Sequence, residues 1–175
     1  FSVSQALYKS TGYYGPDLYS DWSDYLKKDY DKKLKIAKNN LKEGDIIESE
    51  GTTNIYPKWS PNGEKIAFIS NKENDYFGQT DLFVYDLKDS ASKKIISDAK
   101  YAPTWINDSI LVFTMRSGPN ENGSRYFNLY QLNINDEKPV QLTKNSRLRS
   151  PAYNKAQKVL AAIATHDGQS NVYIS

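Results

Sequence analysis

Three stretches of this 175-residue chain carry the same pattern at a nearly fixed interval. YPKWSPNGEKIAFIS (56–70), YAPTWINDSILVFT (101–114) and RSPAYNKAQKVLAAIA (149–164) align on Pro57, Pro103 and Pro151, which are almost evenly spaced. The next-but-one position is aromatic each time: Trp59, Trp105 and Tyr153. An apolar strand pattern follows (IAFIS, LVFTM, LAAIA), then a polar loop, then a second strand beginning at Asp81 (DLFVYDL), Asn128 (NLYQLNI) or Asn171 (NVYIS). The first two units add a short fourth segment, KKIIS from Lys93 and PVQLT from Pro139, so each reads as four strands in about 47 residues.

A repeat of about 40 to 50 residues with four short strands marks the blade of a β-propeller, whose small sheet is stable only when stacked on its neighbours. The expected fold is therefore mainly β. It is a partial propeller of two four-stranded blades (54–99 and 100–146) and an incomplete third (147–175), preceded by an α-helical segment. Proline is tolerated in the innermost strand because that strand is an edge, and the aromatic two residues on shares its face and fills the space between blades. SPNG supplies a tight turn in the first unit, with Gly63 free to take positive φ. The corresponding INDS is a residue shorter and has no glycine, and the third copy has NKAQ. Propellers close with about four to eight blades. An arc of two blades and a part is thus expected to need residues outside this chain to complete it, and Phe1 to be a cut inside a longer protein.

Residues 1–44 follow the other period. Leu18, Trp22, Tyr25, Leu26, Tyr30, Leu34 and Ala37 recur at three- and four-residue spacings, predicting an amphipathic helix from Asp17 to about Lys38. Pro16 suits its first turn, and Asp17 and Asp21 suit its positive end. A shorter helix is expected over Val3 to Lys9, with Val3, Leu7 and Tyr8 against the long one, and Trp22 and the tyrosines are read as a packing face. KEGDIIESEGTTN (42–54) carries two glycines and five charges, and residues 45–53 within it read as a linker, with Ile46 and Ile47 able to add a short strand.

Charge excludes several functions. Lys plus Arg number 23 against 21 Asp plus Glu, so the chain offers no broad field for nucleic acid. No apolar run reaches the length of a membrane span, and no membrane insertion is expected. With no Cys and one His, a catalytic zinc site within these residues is not expected, nor any cofactor. His166, in THDGQSN, reads as part of the loop between the second and third strands of the last unit, and no Gly-x-Ser-x-Gly elbow accompanies a serine nucleophile. KNSRLRSP (144–151) reads as a charged connection between blades rather than an anion site.

The string P-x-W-S-P-N-G-x-K-I-A-F-I-S from Pro57, with the D-L-F-V-Y-D-L strand and K-K-I-I-S or V-Q-L-T, closely resembles the TolB-type, WD40-like propeller repeat of bacteria. The resemblance covers residues 54–175 and is fullest in the first copy; the later copies depart at SPNG, and Tyr153 stands where tryptophan is usual. Prolyl oligopeptidase and tricorn-like propellers use similar repeats. ALYKSTGYYGPDLYSDWSDYLKKDY is similar to the last helices of gluzincin-like peptidase domains that precede such repeats in some large exported proteins. The resemblance implies a periplasmic or extracellular location.

Function is expected to lie in loops on the rigid blades. NKENDYFGQTD (71–81), SGPNENGSRYF (117–127) and THDGQSN (165–171) are expected to emerge on one side, with Tyr76, Phe77, Arg125 and Tyr126 as candidate contacts for a protein or peptide partner. The acidic residues of the first loop lack calcium-loop spacing. The expected function is a non-catalytic interaction scaffold within a larger exported protein. The alternative is the substrate-holding part of a zinc metallopeptidase whose HExxH lies upstream, and a third reading attaches an α/β-hydrolase domain.

Overall fold

The computed structural model describes residues 2–174, which form two compact units divided between Asp45 and Ile46.

In the first unit, α1 spans Val3–Thr11 and α2 spans Gly15–Asn39. Ser2 and Gln5 make a reciprocal capping box at the start of α1, and Gly12 ends it in the left-handed conformation (φ 77°). Both helices are slightly longer than their periodicity indicates. Tyr8 stacks on Tyr14 with ring centroids 4.5 Å apart. Val3, however, is exposed, and Trp22, Tyr25, Tyr30 and Leu34 do not form a buried packing face. The physical reason is geometric: a nine-residue helix is too short to cover the stripe of a 25-residue one.

The second unit is three antiparallel sheets. The first holds β1 (Asn54–Trp59), β2 (Lys65–Ser70), β3 (Asp81–Asp86) and β4 (Ala91–Ile96) in sequential order. The second holds β5 (Ala99–Trp105), β6 (Ile110–Arg116), β7 (Phe127–Asn133) and β8 (Val140–Gln141) in the same order. The third holds β9 (Leu148–Asn154), β10 (Val159–His166) and β11 (Gln169–Ile174). Each innermost strand lies beside the next, β1 by β5 and β5 by β9, as blades around an axis do. This is a partial propeller of two four-stranded blades and a three-stranded one.

Period-two alternation puts different residues on the two faces of every blade. Ala67, Ile69, Leu82 and Val84 form the trailing face of the first blade. They share one core with Trp105, Leu111, Phe113, Tyr130 and Leu132 on the leading face of the second. Trp105, 6% exposed, donates its indole N–H to the Lys58 carbonyl of the preceding blade at 2.9 Å. Val112 and Leu129 then meet Leu160 and Ala162 of the third blade. Trp59, the equivalent of Trp105, is 59% exposed, and among the described residues no blade packs against it.

Each innermost strand contains a bulge around its proline: the pairing slips between Ile55 and Lys58, between Lys100 and Thr104, and between Arg149 and Ala152. A residue of positive φ occupies each slip, Tyr56 (59°), Tyr101 (63°) and Ser150 (52°). Proline, unable to donate to the ladder, sits where the ladder is already interrupted. In SPNG, Gly63 takes φ 74°. In INDS the Asn107 carboxamide oxygen accepts from the backbone N–H groups of Ser109 and Ile110 (2.9 and 2.8 Å) and holds the turn without a glycine.

Ile46 and Ile47 form no strand, since no strand lies alongside them to pair with. The segment is nonetheless fixed. The Asn71 side-chain oxygen accepts from the N–H groups of Thr52 and Thr53 (3.0 and 2.9 Å). Gly51 (φ 76°) passes so close to Asn71 and Lys72 that a Cβ would lie 2.9 Å from both. Glu48 accepts from Lys72 Nζ at 2.7 Å and from Ser92 Oγ, and the Lys72 ammonium lies over the Phe83 ring. Burial pushes the Glu48 carboxyl up, and the hydrogen bonds from Lys72 and Ser92 outweigh it, leaving the carboxyl at about 2.

Both kinds of contact can be measured by urea unfolding. Trp105→Ala removes the side chain that fills the space between blades and is expected to cost about 3–5 kcal/mol, while Trp105→Phe, which loses chiefly the indole hydrogen bond, costs about 1 kcal/mol. Because the folded-state pKa of Glu48 lies below the ordinary 4.5, its stabilisation is present above pH 4.5 and is lost as the pH falls through 2. The stability difference between the native chain and Glu48→Gln should therefore narrow by about 2 kcal/mol between pH 5 and pH 2, after allowance for solvent screening.

Candidate recognition surface

The loops joining second to third strands leave the same end of every blade, because the sheets share one strand order and stack in register. In the third blade the loop is shorter than the sequence suggests. There Asp167 and Gly168 (φ 47° and 75°) make a two-residue hairpin, and His166 is the last residue of β10, paired with Gln169. THDGQSN is thus strand and tight turn rather than a projecting loop, which leaves 71–80 and 117–126 as the two long loops at this end.

The first loop is buried at its base and exposed at its tip. Asn71, Lys72 and Thr80 are buried, while Tyr76 and Phe77 are 74% and 79% exposed. Lys100 of the second blade reaches back to the carbonyl of Gly78 and to Thr80 Oγ1, and Thr80 donates to the Ala99 carbonyl at 2.8 Å. The Asn74 amide donates to Asp81 at 3.1 Å. Two large rings therefore stand in water above a loop base anchored to the second blade.

Asp81, Asn128 and Asn171, the repeated residues opening the third strands, differ in their contacts. Buried Asp81 accepts from the backbone N–H of Asp98 (3.0 Å), and buried Asn128 from that of Ser146 (3.2 Å), so each ties its strand to the connection leading into the next blade. Asp81 also accepts from Lys94, whose hydrogen bonds to Glu73 and then Asp81 hold its ammonium above the usual range. Asn171 is exposed.

On the second loop, Arg125 is exposed and Tyr126 is half-buried beneath the Arg147 guanidinium, 4.6 Å from the ring. Hydrogen bonds from Arg147 and Ser124 lower the Tyr126 hydroxyl. Arg116 lies over Phe127 (4.9 Å), Phe127 meets Tyr101 edge-on (5.2 Å), and Arg149 lies over Tyr101 (5.7 Å) while donating to Thr165 and Ser170. This alternation of cation and ring escapes a reading of the sequence, since its members come from four different strands. Arg147 and Arg149 of the basic stretch are accordingly engaged with the blades. Beside the loop lies an open polar cleft of about 600 Å³, lined by Asn120, Glu121, Gln141, Lys144 and Asn145 among others. Among the described residues no group of three or more His, Asp or Glu is placed to hold a metal ion, and no helix is long and apolar enough to cross a membrane.

No family sequence model and no curated protein matches the chain. Solved structures do. TolB from Acinetobacter baumannii superposes with a TM-score of 0.56 at 19% identity over 75% of this chain and 32% of its own. The fold is that of a TolB-like propeller. A puromycin-hydrolyzing peptidase from Mycobacterium tuberculosis matches equally (0.56, 17% identity, 74% of this chain and 21% of its own). A putative conserved lipoprotein from Clostridium novyi gives 0.53 at 17% identity, covering 77% of this chain and 92% of that one. The TolB-like arc thus spans about a third of the Acinetobacter protein and a fifth of the peptidase.

If Lys100 anchors the first loop, Lys100→Ala should speed amide hydrogen exchange over residues 76–80 by at least about tenfold while lowering global stability by less than about 1 kcal/mol.

Proposed function

We propose that this chain is a protein-interaction module of an exported bacterial propeller protein, itself without catalysis, which recognises a protein or peptide through its two long loops. The observation that carries the reading is the exposed pair Tyr76 and Phe77 on a base fixed by Lys100, Thr80 and Asn74. Large aromatic side chains on a pre-ordered support are what interface hot spots use. Arg125, Tyr126 and Arg147 supply a second contact of cation and ring, suited to a segment with carboxylate or aromatic side chains. Placement outside the cytoplasm is supported by the likeness to a TolB and to a lipoprotein. The alternative role, holding substrate for an upstream zinc peptidase, draws only on the helical stretch ALYKSTGYYGPDLYSDWSDYLKKDY.

The test is selection of binders from a displayed random-peptide library, followed by titration of the selected peptides against the double variant Tyr76→Ser/Phe77→Ser. Affinity should fall at least about tenfold with the unfolding midpoint unchanged. Peptides that bind the variant undiminished, or a library that yields none, would overturn the loop assignment.

A further inference from the structure

All four arginines of the sequence, Arg116, Arg125, Arg147 and Arg149, gather around one dipeptide, whereas the lysines are spread along the whole chain. Arg125 directly precedes Tyr126 and Phe127. The Arg147 guanidinium lies 4.6 Å from the Tyr126 ring, and that of Arg116 lies 4.9 Å from the Phe127 ring. Arg149 joins through Tyr101, whose ring is 5.2 Å from Phe127 and 5.7 Å from the Arg149 guanidinium. None of the four is neutralised. Every ion pair among the described residues is made by a lysine, and the hydrogen bonds of Arg149 go to the uncharged hydroxyls of Thr165 and Ser170. Arg116 and Arg125 are exposed and donate to no described residue. A guanidinium stacked on a ring keeps its planar fork of N–H donors free, in the geometry that suits a carboxylate.

The blades do not need these residues for their fold. Two places before each repeat proline stand Ile55, Tyr101 and Arg149. One pair beyond Met115 and Asn128, the second blade has Arg116 opposite Phe127; one step beyond the equivalent Ser70 and Asp81, the first blade has Asn71 and Thr80, both uncharged and buried. The same positions are thus filled by neutral side chains in one blade and by cation and ring in the next. Exposed cations without partners add little to stability, so packing does not account for the cluster.

We infer that this end of the second and third blades binds an acidic peptide segment, one carrying several Asp or Glu side chains with aromatic residues among them. The guanidinium groups are spread along a row of rings instead of converging on one point, which suits separate carboxylates better than a single phosphate. A sugar or a nucleobase would stack on a ring face, and Tyr101, Tyr126 and Phe127 each carry a guanidinium on one. Lys100, next to Tyr101, donates to the Gly78 carbonyl and to Thr80 Oγ1 and so ties the row to the loop that bears Tyr76 and Phe77. The aromatic side chains of the peptide there have exposed rings to meet. The inference rests on the reading of these loops as a recognition surface and names what they recognise.

Fluorescence anisotropy with the whole chain and a short labelled peptide of repeating Asp-Asp-Tyr tests it, with Asn-Asn-Tyr as the uncharged isostere. The Asp peptide should bind at least about tenfold more tightly than the Asn peptide, and raising the salt from about 0.05 M to about 0.5 M should remove most of that difference. Arg116→Gln/Arg125→Gln, which breaks no hydrogen bond, should weaken the Asp peptide at least about fivefold with the unfolding midpoint unchanged. An Asp peptide that fails to bind, an Asn peptide that binds as well, or an arginine variant that binds undiminished would overturn the inference. So would alginate or tripolyphosphate displacing the Asp peptide at lower concentration than unlabelled Asp peptide does. Tyr76→Ser/Phe77→Ser separates the two readings. If that variant keeps full affinity and the preference for Asp, the loop assignment falls and the arginine site stands; if it weakens both peptides alike and neither is preferred, the arginine site falls and the loop assignment stands.

Discussion

The arc depends on the junction between blades. A small sheet of six- or seven-residue strands has two apolar faces and almost no interior, so the core around β6 is closed by a sheet on each side, while the leading face of β2 is buried without one. Trp105 shows how the junction is made: its ring enters the core shared by two blades while its N–H satisfies the Lys58 carbonyl across the gap. Further bonds repeat the tie elsewhere along the blades, from the Asn62 N–H to Asp108 and from the Tyr153 N–H to Thr104.

What makes the junction repeatable is a polar device at the edge of the first and second blades. The side chains of Asp81 and Asn128 accept from the backbone N–H of the crossing segment, fixing where the next innermost strand begins. The bulge at Pro57, Pro103 and Pro151 then bends that strand, and after Pro103 the aromatic two residues later, Trp105, enters the core shared with the preceding blade. The long loops are carried by this frame. Lys100 belongs to the second blade and anchors the loop of the first, so the exposed rings at Tyr76 and Phe77 owe their position to blade stacking as much as to their own hairpin.

The helical unit is held by other forces. Its stripe of Trp22, Tyr25, Tyr30 and Leu34 has the helical period without a surface that buries it, and helical stability then rests on caps and on i, i+4 pairs such as Asp29 with Lys33. The Glu48–Lys72 pair shows the opposite case, where two charges are almost fully covered and each is satisfied by the other.

The sequence by itself determined the repeat, the strands of each blade, the edge position of each proline and the turn at Gly63, because these depend on local periodicity and on backbone freedom at single residues. It also marked Tyr76 and Phe77, since two adjacent rings in a polar loop have no core to enter. Only the tertiary structure decided the rest. Asn71 and Lys72 look like solvated loop residues in sequence, yet they are buried because the segment before the first blade folds back onto them. The stacking of Arg116, Phe127, Tyr101 and Arg149 likewise joins the second blade to the third. Such contacts arise when sheets related by the repeat come side by side, and no local pattern in a single strand encodes which residue will stand opposite.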